Sequence, residues 1–105
     1  MAVITYNKLV RDHIPEIIEQ NGKRCVVRTL ENDEYLEMLN AKLGEELKEY
    51  LESGEVEELA DLAEVMLAVV KAKHISVKKF EAMMTSKRDQ RGGFDKRIFL
   101  ESVTE

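Results

Sequence analysis

The sequence predicts an all-α fold, an antiparallel helical bundle of about four helices, from three observations. Apolar residues recur at helical spacing over two long stretches. The chain has only one Pro and five Gly, too few for many short strands and tight turns. Hydrophobic residues make up 44% and charged residues 35% of the chain, which is typical of a globular domain with a highly charged exterior.

The first helix is predicted from Asp12 to Gln20, with Asp12 as its cap, Pro15 in its first turn and Asn21-Gly22 as its end. The β-branched segment that follows, residues 24–30, is short enough for an isolated strand. It could pair with residues 98–103 as a minor short β-hairpin beside the helices.

Three longer helices follow, each bounded by a cap or a Gly. We expect them at about Asn32 to Glu52, Glu55 to Lys73 and Val77 to Gln90. Ser53-Gly54 separates the first two, Ser76 caps the last, and Gly92-Gly93 ends it. Helices joined by such short turns lie antiparallel to their neighbours.

The length of 105 residues favours a single domain, residues 1–105. A chain this short buries a modest share of its surface. The third predicted helix is apolar nearly all round, so we expect self-association as a dimer or tetramer. Cys25 is the lone cysteine, and we recognise neither a leader nor a membrane-spanning run, so we expect a cytoplasmic protein without a membrane partner.

Charge is distributed unevenly along the chain. The net charge of −5 argues against binding of a nucleic-acid polymer. Residues 31–64 contain thirteen acids and two bases, whereas residues 77–97 contain seven bases and three acids. A fold that joins the two zones would place acids and bases around one cleft.

Four of the acids fall on or beside the apolar stripes of the two central helices. Each helix carries a pair at i, i+3 spacing, and the pairs are mirrored about the Ser53-Gly54 break: Glu46 and Glu49, Glu58 and Asp61. In an antiparallel hairpin Glu46 comes level with Asp61, and Glu49 with Glu58. Clustered carboxylates repel one another unless a hard divalent cation lies between them.

The same acids are also compatible with two arrangements that involve no metal. They could form a solvated face of two charged helices, or pair with Lys and Arg side chains. The mirrored placement and the scarcity of bases nearby favour a metal site, although pattern alone leaves both arrangements open.

The acidic stretch also resembles a known family. The segments Glu45-Glu46-Leu47-Lys48-Glu49 and Glu58-Leu59-Ala60-Asp61 match the paired motif EExxE…ExxD. This motif is typical of the all-α nucleoside triphosphate pyrophosphohydrolases, which include MazG, the dimeric dUTPases and phosphoribosyl-ATP pyrophosphohydrolase. The opening YNKLVRDHIPEII and the late KRDQRGGFDKRIFL are similar to the branch around MazG and phosphoribosyl-ATP pyrophosphohydrolase.

The resemblance implies an enzyme that splits a nucleoside triphosphate between its α- and β-phosphates, giving a monophosphate and pyrophosphate. The implied cofactor is Mg²⁺, with Mn²⁺ as a substitute, and the implied ligands are Glu46, Glu49, Glu58 and Asp61. By its position in the helical repeat, Glu45 points away from the apolar stripe of its helix. It is therefore a base acting through water, a residue that contacts the metal ligands but not the metal, or a surface acid.

A triphosphate carries more negative charge than the metal neutralises, so Lys or Arg must meet the rest. The candidates lie near the two ends of the chain: Lys8, Arg11, Lys87, Arg88, Arg91 and Arg97. Any one of them could equally be an ordinary surface charge.

The expected function is house-cleaning of canonical or non-canonical nucleotides. One alternative is phosphoribosyl-ATP hydrolysis in histidine biosynthesis. Another is a helical interaction module without catalysis, whose acidic face docks a basic partner.

Overall fold

The computed structural model describes residues 2–105 and contains four helices. They are α1 (Ile14–Gln20), α2 (Asn32–Ser53), α3 (Val56–Ala72) and α4 (Val77–Arg91). No strand occurs within residues 2–105, and the all-α prediction is confirmed. The predicted single domain of residues 1–105 includes Met1, which lies outside the described residues.

The helix ends follow the local sequence closely. Ser76 caps α4 by accepting a hydrogen bond from the Lys79 backbone N–H at 3.1 Å. Gly54 ends α2 with φ of 70°, a left-handed conformation that Gly adopts without a steric penalty. The expected cap Asp12 is wrong: His13 holds that position, without a side-chain hydrogen bond, because α1 begins later, at Ile14.

The centre of the molecule is the antiparallel hairpin of α2 and α3, whose apolar stripes face each other. Leu39 of α2 and Ala72 of α3 are buried, and Leu62, Val65 and Val69 are half-buried. No helix of the described chain is both long enough and apolar enough to cross a membrane.

The fourth helix is much less covered. Val77 and Phe80, in its first turn, are half-buried, and every residue from Glu81 to Glu105 is exposed. Among the described helices α4 packs only against α3, because its later turns diverge from the hairpin.

The minor hairpin of residues 24–30 with 98–103 does not form in the described chain. The first segment is engaged elsewhere: Cys25 Sγ lies 3.8 Å from the Pro15 carbonyl oxygen, and Arg28 donates to both carboxylate oxygens of Glu34 at 3.0 and 2.8 Å. Arg97, with φ of 58°, follows a turn at residues 94–96, just before the second segment. The β-branched composition was therefore not sufficient to make a strand.

Candidate metal and phosphate site

The helical hairpin brings acids of both helices together. One carboxylate oxygen each of Glu46, Glu58 and Asp61 lies within 4.8 Å of the others. Glu46 belongs to α2 and its two neighbours to α3, so the short turn at Gly54 places them side by side. The expected proximity of Glu46 and Asp61 is present in the structure.

A second group of three lies along α2 and shares Glu46 with the first. One oxygen each of Glu45, Glu46 and Glu49 also lies within 4.8 Å of the others. The five acids therefore form one continuous group, which we call the acidic cluster: Glu45, Glu46, Glu49, Glu58 and Asp61. Glu46 is its central member.

Glu46 is the one charged residue that the described chain buries, with 7% of its surface exposed. Its Oε1 lies 3.2 Å from Lys42 Nζ. Its Oε2 is buried and has no hydrogen-bond donor within residues 2–105. A buried acceptor without a partner costs about 1–3 kcal/mol, so a water molecule or a cation beside this oxygen would be stabilising.

The donor set fits a hard divalent cation. All five side chains of the acidic cluster offer carboxylate oxygens, which Mg²⁺ prefers, and none offers nitrogen or sulfur. Mg²⁺ holds its oxygens at about 2.0–2.1 Å, so opposite ligands are about 4.2 Å apart. Separations of up to 4.8 Å are close to that span.

Mutual repulsion within the acidic cluster appears in the pKa of Glu49. A hydrogen bond that Glu49 can donate to Glu46 only in its protonated form is the largest cause of the increase, followed by the negative charge of Glu46, desolvation and smaller effects from Glu58 and Glu45. The pKa of Glu49 is therefore raised above its ordinary value of 4.5. Ionisation of Glu49 is therefore less favourable than that of an isolated glutamate.

Two bases of the N-terminal segment reach the acidic cluster. Lys8 Nζ lies 3.0 Å from Glu45 Oε1, and Arg11 donates to Asp61 Oδ1 at 2.7 Å. The hydrogen bond between Lys8 and Glu45 raises the pKa of Lys8 and lowers that of Glu45. All four side chains remain a third or more exposed, so such pairs add little stability and can exchange partners.

Glu45 has a different environment from the one that helical counting suggested. The surface-acid interpretation is not what the structure shows, because Glu45 is half-buried and its carboxylate joins the acidic cluster. The reason is tertiary: residues 7–9 lie against α2, and Lys8 and Lys42 both approach Glu45 Oε1, at 3.0 and 3.6 Å.

Lys42 is the site residue that the sequence reasoning did not single out. It was counted only as one of two bases among many acids, yet it pairs with Glu46 and Glu45. The signal was present, because positions 42, 45 and 46 have the i, i+3 and i, i+4 spacing of helix neighbours.

The C-terminal bases are not brought to the acidic cluster. Lys87, Arg88, Arg91 and Arg97 are all exposed. No ion pair in the described part of the chain involves a side chain after Asp61. Within residues 2–105, the bases that meet the acidic cluster are therefore Lys42 of α2 and the N-terminal Lys8 and Arg11.

The recess beside the acidic cluster is small. It has a volume of about 60 Å³ and lies between residues 7–9 and α2, with Met38, Lys42 and Glu45 in its wall. Nucleotide-sized ligands occupy pockets of roughly 300–1,000 Å³. A larger open recess, lined by residues 28–34, lies at the opposite end of α2 from Glu49 and adjoins none of the cluster acids.

No protein-family model matches the chain. No solved structure matches it. A protein of Mycolicibacterium smegmatis (strain ATCC 700084 / mc(2)155), described as an uncharacterized protein, is 55% identical to it over 42 residues. That match covers 40% of this chain and 43% of the relative, so the chain matches less than half of the relative's length. The similarity to the pyrophosphohydrolases accordingly stays a prediction from the motifs.

Proposed function

We propose that this chain is a Mg²⁺-dependent nucleoside triphosphate pyrophosphohydrolase that releases pyrophosphate and a nucleoside monophosphate. The observation that carries the proposal is Glu46, a buried carboxylate with one unpartnered oxygen among Glu58 and Asp61. A surface acid explains neither the burial nor the missing donor. A cation bound there would supply both charge and coordination.

Glu46, Glu49, Glu58 and Asp61 would hold the metal, and Mn²⁺ would substitute for Mg²⁺. When bound, the ion would orient the phosphates and lower the pKa of an attacking water. Glu46 belongs to both groups of three in the acidic cluster, so it is the residue whose loss removes the most coordination.

Lys8 and Arg11 are suited to meet the phosphates. They lie on the acidic cluster already, held by exposed ion pairs that a polyanion can replace. Arg11 offers a planar fork that binds phosphate oxygens in pairs, whereas Lys8 offers a single charge on a flexible stem. Loss of either would weaken substrate binding, with Arg11 the more important of the two.

Glu45 is better suited to positioning than to proton transfer. Its pKa is lowered by Lys8, and a carboxylate with a lowered pKa is a weaker base. Its contacts instead hold Lys8 and Lys42 next to the other acids. Glu45→Gln tests this role: a positioning residue affects KM for the triphosphate, whereas a base affects kcat and its pH profile.

The direct test measures pyrophosphate release from canonical, deoxy, methylated and oxidised triphosphates, with and without Mg²⁺. We expect Mg²⁺-dependent release by the wild type and at least a hundredfold loss in Glu58→Gln. The matched control is Glu57→Gln, which changes the neighbouring, exposed acid of the same helix and should leave the rate within twofold. Equal losses in both variants would argue against a role for the acidic cluster.

The same assay separates the alternatives. Phosphoribosyl-ATP assayed beside the nucleotides identifies the histidine-biosynthesis reaction if it is much the better substrate. A protein without any Mg²⁺-dependent release, whose thermal stability also ignores Mg²⁺, would instead be the non-catalytic interaction module.

A further inference from the structure

Lys42 is the least exposed base of the chain. Every other Lys and Arg is exposed, whereas the side chain of Lys42 is only 19% exposed. It lies on α2 one turn before Glu46, in the wall of the recess that residues 7–9 form against that helix. Its ammonium group therefore has less freedom than that of a surface lysine, which samples many rotamers.

The ammonium group of Lys42 lies beside two carboxylates of its own helix. Its Nζ is 3.2 Å from Oε1 of Glu46 and 3.6 Å from Oε1 of Glu45. These partners follow Lys42 by four and three positions, the spacing at which helical side chains meet. Two partners on one helix restrict the ammonium group more than either would alone.

The two oxygens of Glu46 consequently have different environments. Oε1 faces the ammonium group of Lys42, whereas Oε2 is buried and has no hydrogen-bond donor within residues 2–105. Glu46 also supplies an oxygen to both groups of three in the acidic cluster. A cation at the acidic cluster therefore meets Glu46 with one oxygen free and the other already engaged.

The bases around the acidic cluster leave negative charge for a cation. Three of them, Lys8, Arg11 and Lys42, meet its five acids, so two negative charges remain, which is the charge of one divalent cation. Glu49 and Glu58 form no ion pair with a base of the described chain. The ammonium group of Lys42 therefore accompanies a bound cation and does not replace it.

Engagement of one carboxylate oxygen affects Mg²⁺ and Ca²⁺ differently. Mg²⁺ requires near-ideal octahedral geometry at about 2.0–2.1 Å. Ca²⁺ accepts about six to eight oxygens at about 2.3–2.6 Å and can bind both oxygens of one carboxylate. A glutamate that offers a single oxygen therefore suits Mg²⁺ and deprives Ca²⁺ of a ligand.

We propose that Lys42 is a positioning residue that determines metal specificity: it occupies Oε1 of Glu46, so that Glu46 binds the cation through Oε2 alone and the acidic cluster selects Mg²⁺ over Ca²⁺. This assignment rests on the acidic cluster as the cation site of the proposed function. Lys42 itself contacts neither the cation nor the substrate.

Loss of the Lys42 charge distinguishes this role from two simpler ones. A role through charge alone predicts that both ions bind more tightly without Lys42, by similar factors, because they carry the same charge. A role in folding alone predicts that both ions bind more weakly. Specificity through Glu46 predicts a change in the ratio of the two Kd values, which neither simpler role produces.

Displacement of bound Mn²⁺ measures that ratio without any substrate. Free Mn²⁺ is followed by electron paramagnetic resonance while MgCl₂ or CaCl₂ is added, which gives the Kd of each ion. We expect the wild type to bind Mg²⁺ more tightly than Ca²⁺. Lys42→Met keeps the apolar stem without the charge and should shift the ratio of the two Kd values at least tenfold towards Ca²⁺. The matched control is Lys48→Met, at an exposed base of the same helix, which should leave the ratio within twofold.

The wild type alone also tests the proposal. Lys42 is the partner of a buried acid, so circular dichroism must show that Lys42→Met remains helical. If that variant does not fold, the two Kd values of the wild type decide. Tighter binding of Mg²⁺ supports the role of Lys42, whereas tighter binding of Ca²⁺, or binding of neither ion, overturns it.

Pyrophosphate release by the same preparations separates this proposal from the proposed function. An unchanged ratio in folded Lys42→Met, beside a wild type that releases pyrophosphate, would overturn the role of Lys42 alone. A tenfold shift of the ratio in a protein that releases no pyrophosphate would support the role of Lys42 and contradict the proposed function.

Discussion

Glu46→Gln is the substitution that most directly tests whether the acidic cluster is built for a cation. At 4.8 Å two carboxylates repel each other by about 0.9 kcal/mol even at the dielectric constant of water. The two neighbours of Glu46 on α3 alone therefore contribute about 1.7 kcal/mol of repulsion. Lys42, at 3.2 Å from Glu46, offsets about 1.3 kcal/mol of it.

The unpartnered Oε2 of Glu46 determines whether Glu46→Gln stabilises or destabilises the metal-free protein. Gln retains an acceptor for Lys42 and replaces the orphaned oxygen of Glu46 by an amide that donates to the acids around it. Relief of one buried unsatisfied acceptor and of the residual repulsion adds about 1 kcal/mol to the free energy of unfolding without metal. For a domain of this size, the melting temperature should rise by about 4–8 °C.

Magnesium should make the wild type more stable than Glu46→Gln. At a Mg²⁺ concentration tenfold above its Kd, the wild type gains about 1.4 kcal/mol, whereas Glu46→Gln should gain almost nothing. Thermal unfolding followed by circular dichroism, with and without MgCl₂, measures both effects. Glu37→Gln, an exposed acid of the same helix, serves as the control and should behave as the wild type. The reasoning is refuted if Glu46→Gln lowers the metal-free melting temperature while Mg²⁺ stabilises it as much as the wild type.

Three further predictions concern the bases, the charge and the turn of the site. Arg11→Ala should raise KM for the triphosphate at least tenfold. The free energy of unfolding, measured by urea titration, should change by less than about 0.5 kcal/mol, because the ion pair of Arg11 is exposed. A large loss of stability with unchanged KM would contradict this prediction. Because the pKa of Glu49 is raised, its ionisation weakens the metal-free fold as pH rises from 4.5 through the raised pKa. Glu49→Gln should therefore be more stable than wild type at pH 7 and equal to it below pH 4.5, as measured by urea unfolding at both pH values; a gain at low pH alone would show the sign to be wrong. Gly54→Ala should lower the free energy of unfolding by about 1 kcal/mol, because Gly54 has a φ of 70°. Gly44→Ala, inside α2 with nothing within 4 Å of the added Cβ, should raise it by about 0.5–1 kcal/mol. Urea unfolding measures both variants, and changes of the same sign would contradict the prediction.

Local rules were sufficient for the helices. Periodicity, the Ser76 cap and the Gly54 turn determine the three long helices to within one residue, because each depends on neighbours a few positions away. The same rules failed for residues 24–30, where β-branched side chains suggested a strand. A strand needs a partner, and this segment is held by Cys25 at α1 and by Arg28 at α2 instead.

The candidate site was predictable only in outline. The mirrored spacing of Glu46 and Asp61 about the turn follows from helix geometry and was visible in the sequence. The environment of Glu45 was not, because it depends on where Lys8 arrives from 37 positions away. Contacts between residues far apart in the sequence are determined by tertiary packing, which a local sequence pattern does not predict.

The sequence by itself determined an all-α chain whose turn between α2 and α3 brings Glu46 beside Asp61, because helix periodicity and turn chemistry are local. The tertiary structure alone decided that Glu46 is buried with an unpartnered oxygen, that Lys8 and Arg11 reach the acidic cluster, and that α4 stays uncovered. Burial and ion pairing between distant residues depend on the arrangement of the whole chain, so they can be read only from the folded molecule.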